Sequence, residues 1–124
     1  KTAVKWFTLA AEQGDAVSQY NLGIMYSFGL GVVPNYRHGV KWYTLAAEQG
    51  HALAQYNLGR LYYLGKGVPE NLIYAHMWAK QASLNGFKMS TEFTDMLTEL
   101  MTENQIEKAN RLRINCVIKN YKGC

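Results

Sequence analysis

Any acid–base, metal or nucleophilic chemistry in this chain of 124 residues would fall to three histidines, two cysteines and nine carboxylates. A zinc centre groups its His and Cys ligands at turn or helical spacing. His38, His51 and His76 are scattered instead, and none has a second His or a Cys three or four positions on. They read as capping or surface groups, with His38 and His51 at turn or helix-start positions and His76 on a helix. Gly-x-Ser-x-Gly, Ser-x-x-Lys, His-Glu-x-x-His and Cys-x-x-Cys are all missing. Gly29-Leu30-Gly31 has the glycines of a phosphate loop but not the third glycine or the strand-turn-helix setting. It recurs as Gly65-Lys66-Gly67, which marks it as punctuation between repeated units. No catalytic, cofactor or metal-binding residue is assigned, and the chain is expected to be no enzyme.

The carboxylates lead to the architecture. Glu12 and Glu48 are one repeat apart and would point along one line of a stack. Such a row could meet a basic partner, although a solvated face accounts for it better. The repetition itself is extensive. Val4 to Gly14 (Val-Lys-Trp-Phe-Thr-Leu-Ala-Ala-Glu-Gln-Gly) returns as Val40 to Gly50 with one change, Phe7 to Tyr43. Gln19-Tyr20-Asn21-Leu22-Gly23 returns as Gln55-Tyr56-Asn57-Leu58-Gly59. Aligning 1–36 with 37–72 gives 21 identical pairs. A third copy begins at Ala75, Trp78, Ala82 and Gly86 and then fades. A fixed period of this length is the signature of a solenoid.

Within each copy the pattern is helical. Ala3, Trp6, Phe7, Ala10 and Ala11 fall on one face, as do Gly39, Trp42, Tyr43, Ala46 and Ala47. Gly14 and Gly50 are placed to stop these helices. Second helices follow, with stripes Ala16, Gln19, Tyr20, Gly23, Tyr26 and Ala52, Gln55, Tyr56, Gly59, Tyr62. Trp6, Trp42 and Trp78 are expected in the core, beside small residues that let helix axes approach. Glycine inside a helix costs about 1 kcal/mol against alanine, so its return at Gly59 points to close packing there. The Gly-x-Gly-Val turns are expected to use a glycine at positive φ.

The run Trp42 to Gly50, then Ala52, Gln55, Leu58-Gly59, Tyr62 and Gly65-Lys66-Gly67-Val68, resembles the Sel-one-like repeat, a relative of the tetratricopeptide repeat. The likeness covers roughly residues 3–86. It departs at Gly39, where alanine is usual, and after Phe87, where no second family helix is recognised. It implies an all-α, right-handed superhelical solenoid of antiparallel helix pairs with a C-terminal helical cap. The expected division is repeat 1 over 1–36, repeat 2 over 37–72, a partial repeat 3 over 73–87, and capping helices over 88–124.

The resemblance also places the first helix of each pair on the concave side, which supplies a partner-binding surface. Its members are Lys5, Thr8, Leu9 and Glu12; Lys41, Thr44, Leu45 and Glu48; and Met77, Lys80, Gln81 and Leu84. Leu9, Leu45 and Leu84 would form an apolar line bordered by Lys and Glu, suited to a peptide or helix in the groove, or would pack against neighbouring first helices.

After the repeats, 90–101 reads as an amphipathic helix with stripe Phe93, Met96, Leu97, Leu100 and Met101. Thr102-Glu103-Asn104-Gln105 fits a capping box that opens a last helix. Its buried stripe is Ile106, Ala109, Leu112, Cys116 and Val117, and its polar face is Lys108, Arg111, Arg113 and Lys119. A solenoid must cover its last open face, and 88–120 is read as that cover. Bacterial members of the resembled family often close in a similar Cys-containing tail, matched here by Cys116 and Asn120-Tyr121-Lys122-Gly123-Cys124. Cys116 and Cys124 are candidates for a disulfide worth roughly 2–3 kcal/mol. The alternative is a buried Cys116 and a free Cys124. Cysteine-rich relatives carry a bridge in each repeat, and this chain has none there. A bridge would imply an oxidising compartment, periplasmic or secreted, with the cytoplasm as the other possibility.

Composition narrows the function classes. Apolar residues are 48% and charged residues 18%, enough for a core and too little charge for a disordered chain. No apolar run of about eighteen residues occurs, so membrane insertion is not expected. The formal charge of +4 is partly a C-terminal cluster without the dense basic stripe of a nucleic-acid binder. The chain opens at Lys1 without Met and is helical in pattern by residue 3, so an upstream part is expected. The leading expectation is a protein-interaction scaffold holding a protein or peptide. A protein of the same family that binds or hydrolyses cell-wall fragments or β-lactams, ligands to which some relatives are linked, is the alternative. Self-association through the face of the first repeat is a third possibility.

Overall fold

The computed structural model describes residues 2–124. Among these are seven helices and no strand: α1 (Thr2–Glu12), α2 (Ala16–Phe28), α3 (Tyr36–Ala47), α4 (Ala52–Leu64), α5 (Leu72–Leu84), α6 (Met89–Leu100) and α7 (Glu103–Ile118). The architecture is an all-α solenoid. Helices this short are marginal alone in water, so packing must hold them.

Their ends are set by side chains that recur in register. The Asp15 carboxylate accepts the Ser18 amide at the start of α2. His51 Nδ1 accepts the Ala54 amide at the equivalent place in α4. Asn35 and Asn71 likewise cap α3 and α5. Each such cap is worth about 1 kcal/mol. Gly29 and Gly65 close α2 and α4 at φ 69° and 68°, in the left-handed region where a Cβ is penalised. Thr102 and Gln105 form the expected capping box on α7, with both reciprocal bonds present.

Stacking proceeds by each pair receiving the next first helix. α3 packs on α2, and α5 packs on α4. Trp42 is buried with Ala11 and Leu22, between α1 and α2. Trp78 is buried with Tyr43, Ala46, Ala47, Ala54 and Leu58, between α3 and α4. Close approach depends on glycine at one point above all. A Cβ at Gly23 would stand 2.5 Å from the Tyr43 ring.

Trp6 departs from the expected core. It is 66% exposed, against 8% for Trp42 and 2% for Trp78. The reason is the stacking itself. A tryptophan in this register is covered by the pair before its own, and no described helix precedes α1.

The third copy fades in sequence, yet its helix pair is complete. α6 packs on α5, Ser90 Oγ donates to the Ala79 carbonyl at 2.7 Å, and Phe93 meets Tyr56 and Tyr63 of α4 edge-on. Residues 88–100 thus supply a second helix, and the covering role falls to α7 and the tail. α7 turns back and packs on α5. Two residues of its stripe and polar face exchange character. Val117 is exposed, while Arg113 is partly buried and donates from Nη1 to Gln81 Oε1 at 3.4 Å. His76 was expected on a cap or the surface and is buried, 3.3 Å from Thr98 Oγ1. Burial, then the nearby Lys80 and Arg113 charges, push its pKa down, so it is held neutral.

Candidate functional site: the first-helix face

The first helices α1, α3 and α5 present one side of the stack, and its turns are locked by amides. Gln19 Nε2 donates to the Ala11 carbonyl at 3.1 Å, and Gln55 Nε2 donates to the Ala47 carbonyl at 3.1 Å. Each glutamine Oε1 then accepts from the following repeat: Gln19 from Gln49 Nε2 at 2.9 Å, and Gln55 from Asn85 Nδ2 at 3.0 Å. Gln49 also reaches the Gly14 carbonyl at 2.8 Å. Positions 49 and 85 are one repeat apart, so the same bond is made twice with different side chains. This ladder went unseen in the sequence, although Gln19 and Gln55 recur on the apolar stripe, where an amide needs partners.

The chain's own C-terminus closes one end of this face. Leu112, Cys116, Tyr121 and Cys124 join the core that holds Tyr43, Met77 and Trp78. A disulfide links Cys116 and Cys124, with Cα atoms 5.6 Å apart. The tail it secures is bent, with Asn120 and Tyr121 at positive φ. The Tyr121 hydroxyl accepts from Gln81 Nε2 at 3.2 Å and Asn85 Nδ2 at 3.4 Å, which ties the tail into the amide ladder. Glu48 lies beneath it. Burial raises the Glu48 pKa, and the Gly123 backbone amide works against that shift.

The twelve candidate surface residues therefore divide. Lys5, Leu9, Glu12, Lys41, Leu45 and Leu84 are exposed. Thr8 and Thr44 are half-buried and donate to the Val4 and Val40 carbonyls one turn back. Glu48 and Lys80 are half-buried. Met77 and Gln81 are buried, packed or hydrogen-bonded under α7, and offer no open surface. The leucine line is also shorter than expected. Leu84 takes the register of Glu48, and Gln81 holds the place of Leu45. Leu9 and Leu45 are 46% and 37% exposed, a pair on the open part of the face over α1 and α3.

The arrangement suits docking. A covered end, a locked row of turns and two exposed leucines flanked by Lys5, Lys41 and Glu12 can bury an apolar strip and orient it by charge. Among the described residues, no group of three or more His, Cys, Asp or Glu could hold a metal ion. Among the described residues, no helix is long and apolar enough to cross a membrane.

Comparison with solved structures finds the same architecture. Over 95% of this chain, at 32% identity and a TM-score of 0.89, it is similar to c5321, a protective antigen present in uropathogenic Escherichia coli strains and displaying an SLR fold. Over 75% of the chain, at 38% identity and a TM-score of 0.73, it is similar to a Sel1 repeat protein from Oxalobacter formigenes. The chain spans only 26% and 38% of these two proteins. No curated protein matches it. The Sel1 repeat model matches residues 1–15, 16–51 and 52–87, beginning each full copy at a second helix, and the chain belongs to the Sel1 repeat family.

Proposed function

We propose that the chain holds a protein partner, as a helix or extended peptide, across the first-helix face over α1 and α3. Sel1 repeats generally serve as protein–protein interaction scaffolds. One observation carries the finer reading. The chain's own α7 already lies on the first helix α5, so this side of the stack accepts a helix. Outside the part of α3 that the tail covers, the equivalent surface leaves Leu9 and Leu45 46% and 37% exposed. The Cys116–Cys124 bridge supports an oxidising setting, periplasmic or secreted.

A photo-cross-linking side chain at position 45 tests this in the native cell, with the exposed position 53 on the second helix α4 as control. A partner joined through position 45 and not through 53 is expected. Leu9→Lys with Leu45→Lys should then weaken that partner at least about tenfold, with the melting temperature unchanged. Cross-linking through 53, through neither site, or unchanged affinity in the double variant would contradict the placement.

A further inference from the structure

A second feature lies between the second helices α2 and α4, at the start of α3. A cavity of about 130 Å³ opens there, lined by Ser27, Phe28, Tyr36, Tyr43, Arg60 and Lys66 among others. The repeat exchanges bulk at this point. Ser27 on α2 is Tyr63 one copy later, while Tyr43 on α3 is Ala79. Ser27 and Gly39 meet closely, a Cβ at Gly39 standing 2.5 Å from Ser27 Oγ, and Tyr43 forms one wall of the cavity.

The lining is chemically specific. Ser27 is 7% exposed, and its hydroxyl has no well-formed hydrogen bond, although the Tyr43 phenol is close enough to feel it. A buried hydroxyl without a partner is costly in a folded protein. Two cations reach the same cavity. Among the described residues, neither Arg60 nor Lys66 has a carboxylate within ion-pair distance. Both lie over aromatic faces instead, Arg60 5.8 Å from the Tyr56 ring centre and Lys66 5.2 Å from that of Tyr36. Asn57 adds an amide, and Leu61 and Leu64 add apolar wall.

We infer that this cavity binds a carboxylate carried on an apolar body about the size of a phenyl ring. Arg60 and Lys66 attract and hold the carboxylate, which a guanidinium can grip through two parallel bonds. Ser27 and Asn57 supply neutral hydrogen bonds. The aromatic and leucine walls take the body. Volume sets the size: an apolar cavity of about 150 Å³ accepts benzene, and nucleotide-sized ligands need several hundred. The carboxylate can belong to a free small acid or to the terminal residue of a peptide. This site is independent of the first-helix face.

Titration of the folded chain with 3-phenylpropionate and with acetyl-Gly-Gly-Phe, followed by amide NMR, tests it. The amide form of each ligand serves as control. Saturable shifts clustered at residues 57–66 are expected with the acids and not with the amides. Arg60→Gln should weaken binding at least about tenfold, and Lys108→Gln should leave it unchanged. Preference for the free acid or for the peptide identifies the source, and either upholds the site. No saturable shift up to roughly 10 mM, equal binding of the amides, or an unaffected Arg60→Gln variant would overturn it.

Discussion

Replacing Trp78 by alanine should cost about 3–5 kcal/mol of stability, while the same change at Trp6 should stay within about 0.5 kcal/mol. Both residues hold the same phase of the same sequence pattern, so pattern alone gives them equal weight. The stack does not. Trp78 is wedged against the pair α3–α4, in one buried cluster with Tyr43, Ala46, Ala47, Ala54 and Leu58. Truncation there removes a large apolar ring from a site whose neighbours are themselves nearly fully buried and cannot collapse inward. Trp6 is already two-thirds in water and has little to lose. Urea or guanidinium unfolding of the two variants measures the difference. Equal losses would mean that Trp6 is covered in solution.

The second large effect lies in the tail. Cys124→Ser should cost about 2–3 kcal/mol, because the bridge closes a short loop that the unfolded chain must otherwise leave open. The loss extends beyond loop entropy. Asn120 and Tyr121 sit at positive φ, which only surrounding structure keeps populated. Once the tail lifts, the Tyr121 hydroxyl leaves Gln81 and Asn85. Gln81 keeps Arg113 and Asn85 as partners, so the damage should stop at the end of the amide ladder. Unfolding of the oxidised chain, the chain with dithiothreitol and the variant should place the last two together, below the first. Coincident curves for all three would show that the tail contributes nothing to the fold.

What the sequence disclosed follows from how local the signals are. A period of thirty-six residues, the helices it repeats and the capping box at Thr102 are read from neighbours along the chain, and the structure has the helices and the box where the spacing put them. What it withheld depends on neighbours distant in sequence. Met77 and Gln81 look like open surface until α7 folds back over α5, and nothing in the local pattern directs that return. His76 is buried by the arrival of α6, whose Thr98 meets its ring. Arg113 reads as a solvated charge and is drawn inward by Gln81. Trp6 fails in the other direction, since it holds the core position of the pattern and no described helix lies against it. The cavity beside Ser27 was legible in principle. Ser27 against Tyr63 and Tyr43 against Ala79 mark a change of packing between the copies, but the cavity itself needed the helices in place.

The candidate surface shows the same split. Lys5, Leu9, Glu12, Lys41 and Leu45 are exposed, as first helices that repeat in register place them. Leu84 was included as an exposed leucine, and the structure puts it one turn beyond the line.

The stacking of equivalent pairs is tested most directly by single-tryptophan variants, each keeping one of Trp6, Trp42 and Trp78 with phenylalanine at the other two. Acrylamide quenching should be strong for Trp6, weak for Trp42 and weakest for Trp78, because the preceding pair shields Trp42 and Trp78 and α7 adds to the cover of Trp78. Equal quenching of all three, or a shielded Trp6 beside an accessible Trp78, would contradict the stack.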